Sequence, residues 1–186
     1  MREDPLTRAR LVAEKVHAGK SYDIYPYMKH ILDVVKIASN FGYDDAIRAA
    51  CFLHDSMEDG DLSYNDIKKH FGEEEAEIVF AVTDELGRTR EEKHIKTYPK
   101  IAANEKAVCV KLCDRIANMK HSYDFNPKLF EMYVKEHNQF FDSLYNPRHR
   151  EADRAWVFLK TIIEKHESKL LAGRKRAVSR LPGAKV

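Results

Sequence analysis

Histidine and aspartate residues at three separate places in the chain could together hold a metal ion. His54 and Asp55 end the apolar run AIRAACFLHD, His30 ends PYMKH, and Asp114 lies within the apolar run AVCVKLCDRIANM. A neutral imidazole nitrogen and a hard carboxylate oxygen together suit Mn²⁺, Fe²⁺ or Zn²⁺. An aspartate inside a buried helix is costly unless it is paired or metal-bound. These residue types therefore indicate a possible metal site.

Each candidate ligand also has an ordinary structural interpretation. Asp114 alone is as readily a buried aspartate that pairs with Lys111 or Arg115, and His30 alone is as readily a histidine at the edge of the core. The acid pair Glu58-Asp59 could hold and deprotonate a water at such a site, or it could be a solvated acidic loop.

The elements that must position these residues are helices. Glycine and proline number only 7 and 6 in 186 residues, so turns are sparse, and apolar residues recur with helical rather than alternating spacing. Ser63 followed by Asp66 resembles a capping box at the start of one helix. We expect an irregular loop at Gly19–Tyr27 and helices near 5–18, 27–41, 44–54, 63–71, 73–86, 91–103, 105–121, 127–144 and 149–172.

These helices predict one all-α domain, a single compact bundle of about eight to ten helices over residues 1–172. The last fourteen residues, GRKRAVSRLPGAKV, carry five basic residues and no acidic one, so we expect 173–186 to be a disordered basic tail. The net charge is +2, and without this tail it would be near −3. The slightly acidic body and aromatic residues at core spacing argue against nucleic acid as a partner.

Other compositional features narrow the setting. The chain has no run of 18 apolar residues, and MREDPLTRAR lacks an apolar stretch, so we expect neither a membrane span nor a secretory signal. The three cysteines, Cys51, Cys109 and Cys113, lie in apolar helical patterns. An odd number of such cysteines favours a reducing compartment, and we expect a cytoplasmic protein.

Several short motifs, taken in order, resemble one known family. HDSMEDG is similar to HDxxED, YPYMKH to PYxxH, and KLCDRIANM to KLADRxxN, and the stretch after HDSMEDG is similar to I-x-x-x-FG…V…VTD. These motifs resemble the HD-domain metallophosphohydrolases and, more narrowly, the RelA/SpoT-type (p)ppGpp hydrolases, which include single-domain small alarmone hydrolases and the metazoan SpoT homologue. The resemblance runs from about Ala9 to Asn146.

The resemblance implies a reaction and a set of roles. One divalent ion, usually Mn²⁺ in that family, would polarise a phosphate and lower the pKa of a water, and the expected activity is hydrolysis of a 3′-pyrophosphate ester of (p)ppGpp. Its expected ligands are His30, His54, Asp55 and Asp114. Glu58 and Asp59 would orient and activate the water.

Substrate contacts follow partly from the resemblance and partly from the chemistry of phosphate hydrolysis. Asn118 and Lys20 stand where the family contacts its nucleotide, and Tyr133 corresponds loosely to an aromatic residue of the nucleotide pocket. Hydrolysis of a phosphate ester also needs cations for the remaining phosphates, for which Lys20, Lys111 and Arg115 are candidates. The expected partner is a small phosphorylated nucleotide.

The loop before PYMKH departs from the family. Members usually carry an arginine there that stacks on guanine, whereas Gly19 stands at about that position here and Lys20 is retained. Tyr22 or Tyr25 could supply a stacking face instead. Alternative substrates are therefore (pp)pApp, NADPH or another phosphorylated nucleotide. A catalytically weak nucleotide-binding or sensor protein is the alternative outside the enzymes, and the intact acid pair argues against it.

Overall fold

The computed structural model describes residues 4–58 and 62–178. Nine α-helices lie within these residues, which confirms the predicted all-α bundle. They are α1 (Pro5–Val16), α2 (Tyr27–Phe41), α3 (Asp45–Leu53), α4 (Tyr64–His70), α5 (Glu73–Val82), α6 (Arg90–Ala102), α7 (Glu105–Phe125), α8 (Pro127–Leu144) and α9 (Asp153–Val178), with a 3-10 turn at Arg150–Ala152 before α9.

Side-chain caps fix several of the helix starts. Ser63 and Asp66 exchange the two hydrogen bonds of a capping box at α4: the Asp66 amide donates to Ser63 Oγ at 3.2 Å, and the Ser63 amide donates to Asp66 Oδ2 at 3.0 Å. Asp44 accepts a hydrogen bond from the Ile47 amide at the start of α3. Gly42, with φ 76°, ends α2 in the left-handed conformation that glycine adopts without strain. The predicted capping box is confirmed.

The segment predicted to be an irregular loop contains a small hairpin. Strands β1 (Ser21–Tyr22) and β2 (Tyr25–Pro26) pair antiparallel, with Tyr22 opposite Tyr25. Asp23 in the turn has φ 56°, a conformation that aspartate tolerates better than most residues. Strands of two residues are too short to produce a detectable alternation in the sequence, so the prediction of an irregular loop was wrong here.

Helix α7 is the centre of the bundle. It packs against α2, α3, α5, α6, α8 and α9, and most of its residues from Ala107 to Met119 are buried. Apolar burial of this extent on every side explains why α7 carries little polar surface along its middle. A charged residue in this stretch therefore has to find its partner inside the protein, and Asp114 and Arg115 both lie there.

Three helix ends differ from the prediction. Helix α5 ends at Val82, where the Thr83 hydroxyl donates to the Val79 carbonyl at 2.7 Å, so the chain leaves the helix before Asp84. Helix α7 continues to Phe125, and α9 continues past residue 172 to Val178. Residues 179–186 lie outside the described residues, so the disorder expected of the tail stays a prediction there. In the described part of the chain, no helix is long and apolar enough to cross a membrane.

Candidate metal centre

The four residues predicted as metal ligands lie together. His30 comes from α2, His54 and Asp55 follow the end of α3, and Asp114 comes from α7. His54 Nε2 lies 3.0 Å from Asp55 Oδ2 and 3.8 Å from Asp114 Oδ1. His30 Nε2 lies 3.3 Å from Asp114 Oδ1 and 4.0 Å from Asp55 Oδ2. Two imidazole nitrogens and two carboxylate oxygens thus converge from three separate helical regions on one point.

Hydrogen bonding determines which nitrogen of His54 faces this point. Its Nδ1 lies 2.9 Å from the Cys51 carbonyl oxygen, which can only accept, so Nδ1 carries the proton and donates it. In the neutral imidazole, Nε2 then presents a lone pair toward the point where the carboxylates converge. This nitrogen is buried and has no hydrogen-bond partner among the described residues. A buried acceptor nitrogen aimed at two carboxylates fits a metal ligand, because a cation would satisfy all three groups.

The charges at this cluster also favour a metal site. Burial alone would lower the pKa of His54, but Asp55 and Asp114 outweigh it and raise that pKa to about 9. Burial would raise the pKa of both aspartates, but His54 lowers that of Asp55, and Lys111 with the two histidines lowers that of Asp114. The site therefore has a strong affinity for positive charge. A divalent ion is a better match to it than protons, because histidine nitrogen and carboxylate oxygen are both metal donors.

A second layer of side chains holds the ligands. The Tyr27 hydroxyl donates to Asp55 Oδ2 at 2.7 Å, and the Asn118 amide donates to Asp114 Oδ1 at 2.6 Å. The Tyr22 hydroxyl donates to Asn118 Oδ1. Asn118, predicted to contact substrate, therefore lies beside the metal centre and is itself held from the hairpin.

The Tyr22 ring covers one ligand directly. It stacks on His30, with ring centroids 4.6 Å apart and the planes inclined by 16°, and it meets the His121 ring edge-on at 4.9 Å. The hairpin therefore lies over the metal centre. Tyr22 was predicted only as a stacking face for a base, because the two-residue strands gave no pattern that would have placed it here.

Glu58 is held at the rim of the centre. Its Oε1 accepts a hydrogen bond of 2.6 Å from the Asp84 amide, just beyond the end of α5. Desolvation of the carboxylate raises the pKa of Glu58, while this hydrogen bond opposes the rise. Asp59, the other member of the predicted acid pair, lies outside the described residues. Because α5 ends at Val82, the Asp84 amide lies outside the helix and can donate to Glu58. The role of Asp84 was not predicted from the sequence.

Lys111 places a positive charge among the carboxylates. Its Nζ lies 3.3 Å from Asp114 Oδ2. Burial alone would lower the pKa of Lys111, but Asp114, Asp84 and Asp55 raise it, so the side chain stays charged. The structural alternative considered for Asp114, an ion pair with Lys111, therefore coexists with the approach of Asp114 to both histidines.

The remaining substrate candidates differ in their surroundings. Lys20 begins the hairpin, and its carbonyl accepts from the Tyr27 amide at 3.0 Å. Tyr133, on α8, is buried. Arg115 is only 4% exposed, donates to Glu136 Oε2 at 3.1 Å, and lies over the Tyr133 and Phe140 rings. Arg115 is thus engaged by protein groups, and its role in substrate binding stays a prediction.

Comparison with protein families identifies the chain. An HD domain model matches residues 9–148, which includes every predicted metal ligand. The chain belongs to the HD domain family. The cluster containing His30, His54 and Asp55 is accordingly a candidate divalent metal site of this HD domain.

Relatives of this HD domain include enzymes with named activities. Guanosine-3′,5′-bis(diphosphate) 3′-pyrophosphohydrolase MESH1 of Xenopus tropicalis is 32% identical over 141 residues, covering 73% of this chain and 79% of the relative. The guanosine-3′,5′-bis(diphosphate) 3′-pyrophosphohydrolase of Aquifex aeolicus is 31% identical over 124 residues, covering 64% of this chain and 18% of the relative. An Arabidopsis thaliana relative, named "Probable GTP diphosphokinase RSH2, chloroplastic", is 29% identical, and the match spans 22% of its length. The HD domain thus corresponds to a fraction of the longer relatives and to most of MESH1.

A solved structure has the same fold. It belongs to a metazoan ortholog of SpoT described as hydrolysing ppGpp. The TM-score is 0.73 at 22% sequence identity, and the match covers 89% of this chain and 97% of that one. At this identity the likeness establishes the helical arrangement alone.

Proposed function

We propose that this HD domain is a metal-dependent hydrolase that removes the 3′-pyrophosphate from guanosine alarmones, converting (p)ppGpp and water to GTP or GDP and pyrophosphate. The observation that carries the proposal is the buried convergence of His30, His54, Asp55 and Asp114, with Glu58 fixed at its rim. Relatives named as 3′-pyrophosphohydrolases, one of them matched over most of its length, support the choice of substrate.

The four ligands would hold one divalent ion, which we propose to be Mn²⁺. When bound, such an ion places positive charge on a phosphate and lowers the pKa of a water to near neutrality. His54 is already in the tautomer that this requires, because its Nδ1 proton is committed to the Cys51 carbonyl. Asn118 holds Asp114 Oδ1, the oxygen that faces the two histidines, and Lys111 lies beside Oδ2, so the two side chains together orient this carboxylate.

Glu58 is the proposed general base. Its carboxylate is anchored at one oxygen by the Asp84 amide, which leaves the other oxygen to accept a proton from the attacking water. Burial raises the pKa of Glu58, which makes its carboxylate a stronger base than that of an exposed glutamate. The water oxygen bonds to the phosphorus attached to the 3′ oxygen, the bond between that phosphorus and the 3′ oxygen breaks, and the released 3′ oxygen takes up the proton that Glu58 removed, which gives the free 3′ hydroxyl and pyrophosphate. We propose that Asp59 assists Glu58, as the family's acid pair implies.

The charge and ring groups around the centre fit a nucleotide that carries several phosphates. Lys111 supplies an ammonium 3.3 Å from Asp114 and is proposed to neutralise charge on a phosphate of the bound nucleotide. Asn118 and Tyr133 are proposed to face the nucleoside, and Lys20, at the start of the hairpin, to face a phosphate. Arg115 is proposed to contact a phosphate of the nucleotide.

A substrate panel tests the proposal. Purified protein with Mn²⁺ is given ppGpp, pppGpp, ppApp and NADPH, and the release of pyrophosphate, phosphate and nucleotide is measured. Rapid release of pyrophosphate from the guanosine compounds is expected. Turnover of ppApp or NADPH alone would support the same hydrolytic chemistry on a different substrate. This is the second candidate because the family arginine before PYMKH is absent. Binding of nucleotide and metal without turnover of any compound would instead favour a sensor.

The matched control is Glu58→Gln. This variant keeps an oxygen that can accept from the Asp84 amide but has no basic carboxylate. Full turnover by Glu58→Gln would contradict the assignment of the base, and turnover by wild-type protein after complete removal of divalent ions would contradict the metal centre.

A further inference from the structure

One tyrosine contacts a proposed metal ligand directly from outside the ligand set. The Tyr27 hydroxyl donates to Asp55 Oδ2 at 2.7 Å. The same oxygen faces the cluster, at 3.0 Å from His54 Nε2 and 4.0 Å from His30 Nε2. A carboxylate oxygen has two lone-pair directions, so it can accept the hydroxyl proton on one side and bind a cation on the other.

The ring of Tyr27 is held on several sides. It stacks on His17, with centroids 4.6 Å apart and planes inclined by 18°, and it meets His30 edge-on at 5.8 Å. Tyr27 is also the first residue of α2, and its amide donates to the Lys20 carbonyl at the base of the hairpin. The hydroxyl is therefore presented to Asp55 from a fixed position rather than from a mobile side chain.

Asp55 needs such support more than the other ligands do. It follows the last turn of α3, beyond Leu53, so no helical backbone continues past it to fix its direction, whereas His30 and Asp114 lie inside helices. Adjacent helical residues point about 100° apart, and His54 and Asp55 can reach one ion only if the chain unwinds at this end and both side chains are then held in place.

We propose that Tyr27 is a positioning residue that orients the Asp55 carboxylate for metal binding, an inference that rests on the proposed metal centre. Its hydroxyl restricts rotation of the carboxylate and keeps Oδ2 aimed at the two imidazoles. Removal of an outer-layer hydrogen bond of this kind typically weakens metal affinity about 10- to 100-fold. The effect belongs to the hydroxyl and not to the ring, because the ring contacts with His17 and His30 do not need it.

The test compares Tyr27→Phe with Tyr25→Phe. Both variants lose one hydroxyl from the same short segment, but the Tyr25 ring packs against His121 and Phe125 rather than against a proposed ligand. Mn²⁺ affinity is measured on chelator-treated protein by competition with a metal-sensitive dye, and the visible absorption spectrum is recorded with Co²⁺. We expect Tyr27→Phe to bind Mn²⁺ about 10- to 100-fold more weakly and to change the Co²⁺ spectrum, while Tyr25→Phe stays close to wild type.

Three results would overturn the inference. Mn²⁺ affinity of Tyr27→Phe within twofold of wild type, an equal loss in both variants, or an unchanged Co²⁺ spectrum would each show that the hydroxyl does not orient Asp55. The melting temperature and circular dichroism of the metal-free proteins show whether each variant is folded, independently of its metal binding. No nucleotide is used, so a failure of the proposed substrate leaves the result intact, whereas absence of metal binding by wild type would overturn both.

Discussion

Two charged clusters lie on different sides of the same helix, and they differ in how their charges are satisfied. Asp114 and the next residue, Arg115, are both buried in the middle of α7. Asp114 points to the metal centre, whereas Arg115 points to a second group, the arginine cluster, which consists of Arg90, Arg115 and Glu136. Each cluster therefore carries the burial cost of charge inside the protein.

In the arginine cluster, one carboxylate pairs with both guanidiniums. Arg90 donates to both oxygens of Glu136, at 2.7 and 3.2 Å, and Arg115 donates to Oε2 at 3.1 Å. The Tyr133 ring lies 5.6 Å from the Arg90 guanidinium and 4.6 Å from that of Arg115. Both guanidiniums donate to the Glu136 carboxylate and lie near the Tyr133 ring, and these contacts partly offset the cost of burying the cluster, which keeps one net positive charge.

The metal centre is different because its acceptors converge on one another. Asp55 and Asp114 face the nitrogens of His30 and His54, and the buried His54 Nε2 has no hydrogen-bond partner among residues 4–58 and 62–178. Such an arrangement needs positive charge to complete it, which either a proton on His54 or a metal ion can supply. Buried charge by itself therefore does not identify a metal site, whereas several lone pairs that converge on one point do.

Loss of a ligand should have the largest effect. We expect His54→Ala or Asp55→Ala to lower turnover at least about 10³-fold, because the loss of a ligand removes the ion on which the reaction depends. Metal content measured by elemental analysis should fall with activity. Mn²⁺ at 100 times its Kd should stabilise wild type by about 2.7 kcal/mol and neither variant. Unchanged metal stoichiometry in both variants would contradict the ligand assignment.

Loss of the proposed base should separate chemistry from metal binding. We expect Glu58→Gln to lower kcat about 10²- to 10⁴-fold, the usual contribution of a positioned general base. Its metal content and melting temperature should match wild type, because Glu58 contacts the Asp84 amide and not the ligands. Asp84→Asn is the matched control, since it keeps the backbone amide that holds Glu58. A fall in metal content with Glu58→Gln would place Glu58 among the ligands instead.

The arginine cluster should behave in the opposite way. We expect Arg115→Met to destabilise the protein by about 2 kcal/mol, the value of a hydrogen bond to a charged group, while Arg90 still pairs with Glu136. Urea unfolding measures this change. Mn²⁺ affinity should stay close to wild type, and kcat/KM should change less than threefold in protein that remains folded. A rise in KM of tenfold or more with stability intact would instead support the predicted contact of Arg115 with substrate.

The contrast between Asp114 and Arg115 also shows how much of the site could be predicted from the sequence. Motif order placed His30, His54, Asp55 and Asp114 in one site, and the structure brings them together, because ligand identity depends on residue type and helix position. Arg115 was assigned to substrate as one of the nearby cations that the remaining phosphates need, and that role stays a prediction. Neighbouring helical residues face different surroundings, however, and the partner of Arg115 comes from α8, 21 residues away in sequence.

Contacts made by irregular segments were the least predictable. The hairpin that lays Tyr22 on His30 and the early end of α5 that frees the Asp84 amide both depend on tertiary packing rather than on periodicity. Tyr27 had a visible signal, since it lies in the PYMKH motif three residues before His30, but only the fold shows that its hydroxyl reaches Asp55.

A last expected effect is a dependence of stability on pH that arises at His94, beside the arginine cluster. His94, on α6, is buried and stacks on Tyr98 at 4.6 Å. Burial first, and then the nearby charge of Arg90, lower the pKa of His94 from 6.5 to about 4. The unfolded chain therefore binds a proton at His94 between pH 6.5 and 4 that the folded protein does not.

The sign of this effect follows from the difference in bound protons. The contribution of His94 to the free energy of unfolding is fully present above pH 6.5. It falls as the pH drops toward 4, by up to about 1.4 kcal/mol per pH unit. The measurement is urea unfolding of metal-free protein at several pH values, with His94→Gln as the comparison. Glutamine does not titrate, so the slope of the variant should be smaller than that of wild type by up to one proton. Equal slopes would mean that His94 takes up its proton in the folded state as readily as in the unfolded chain, and that the arginine cluster tolerates a third cation.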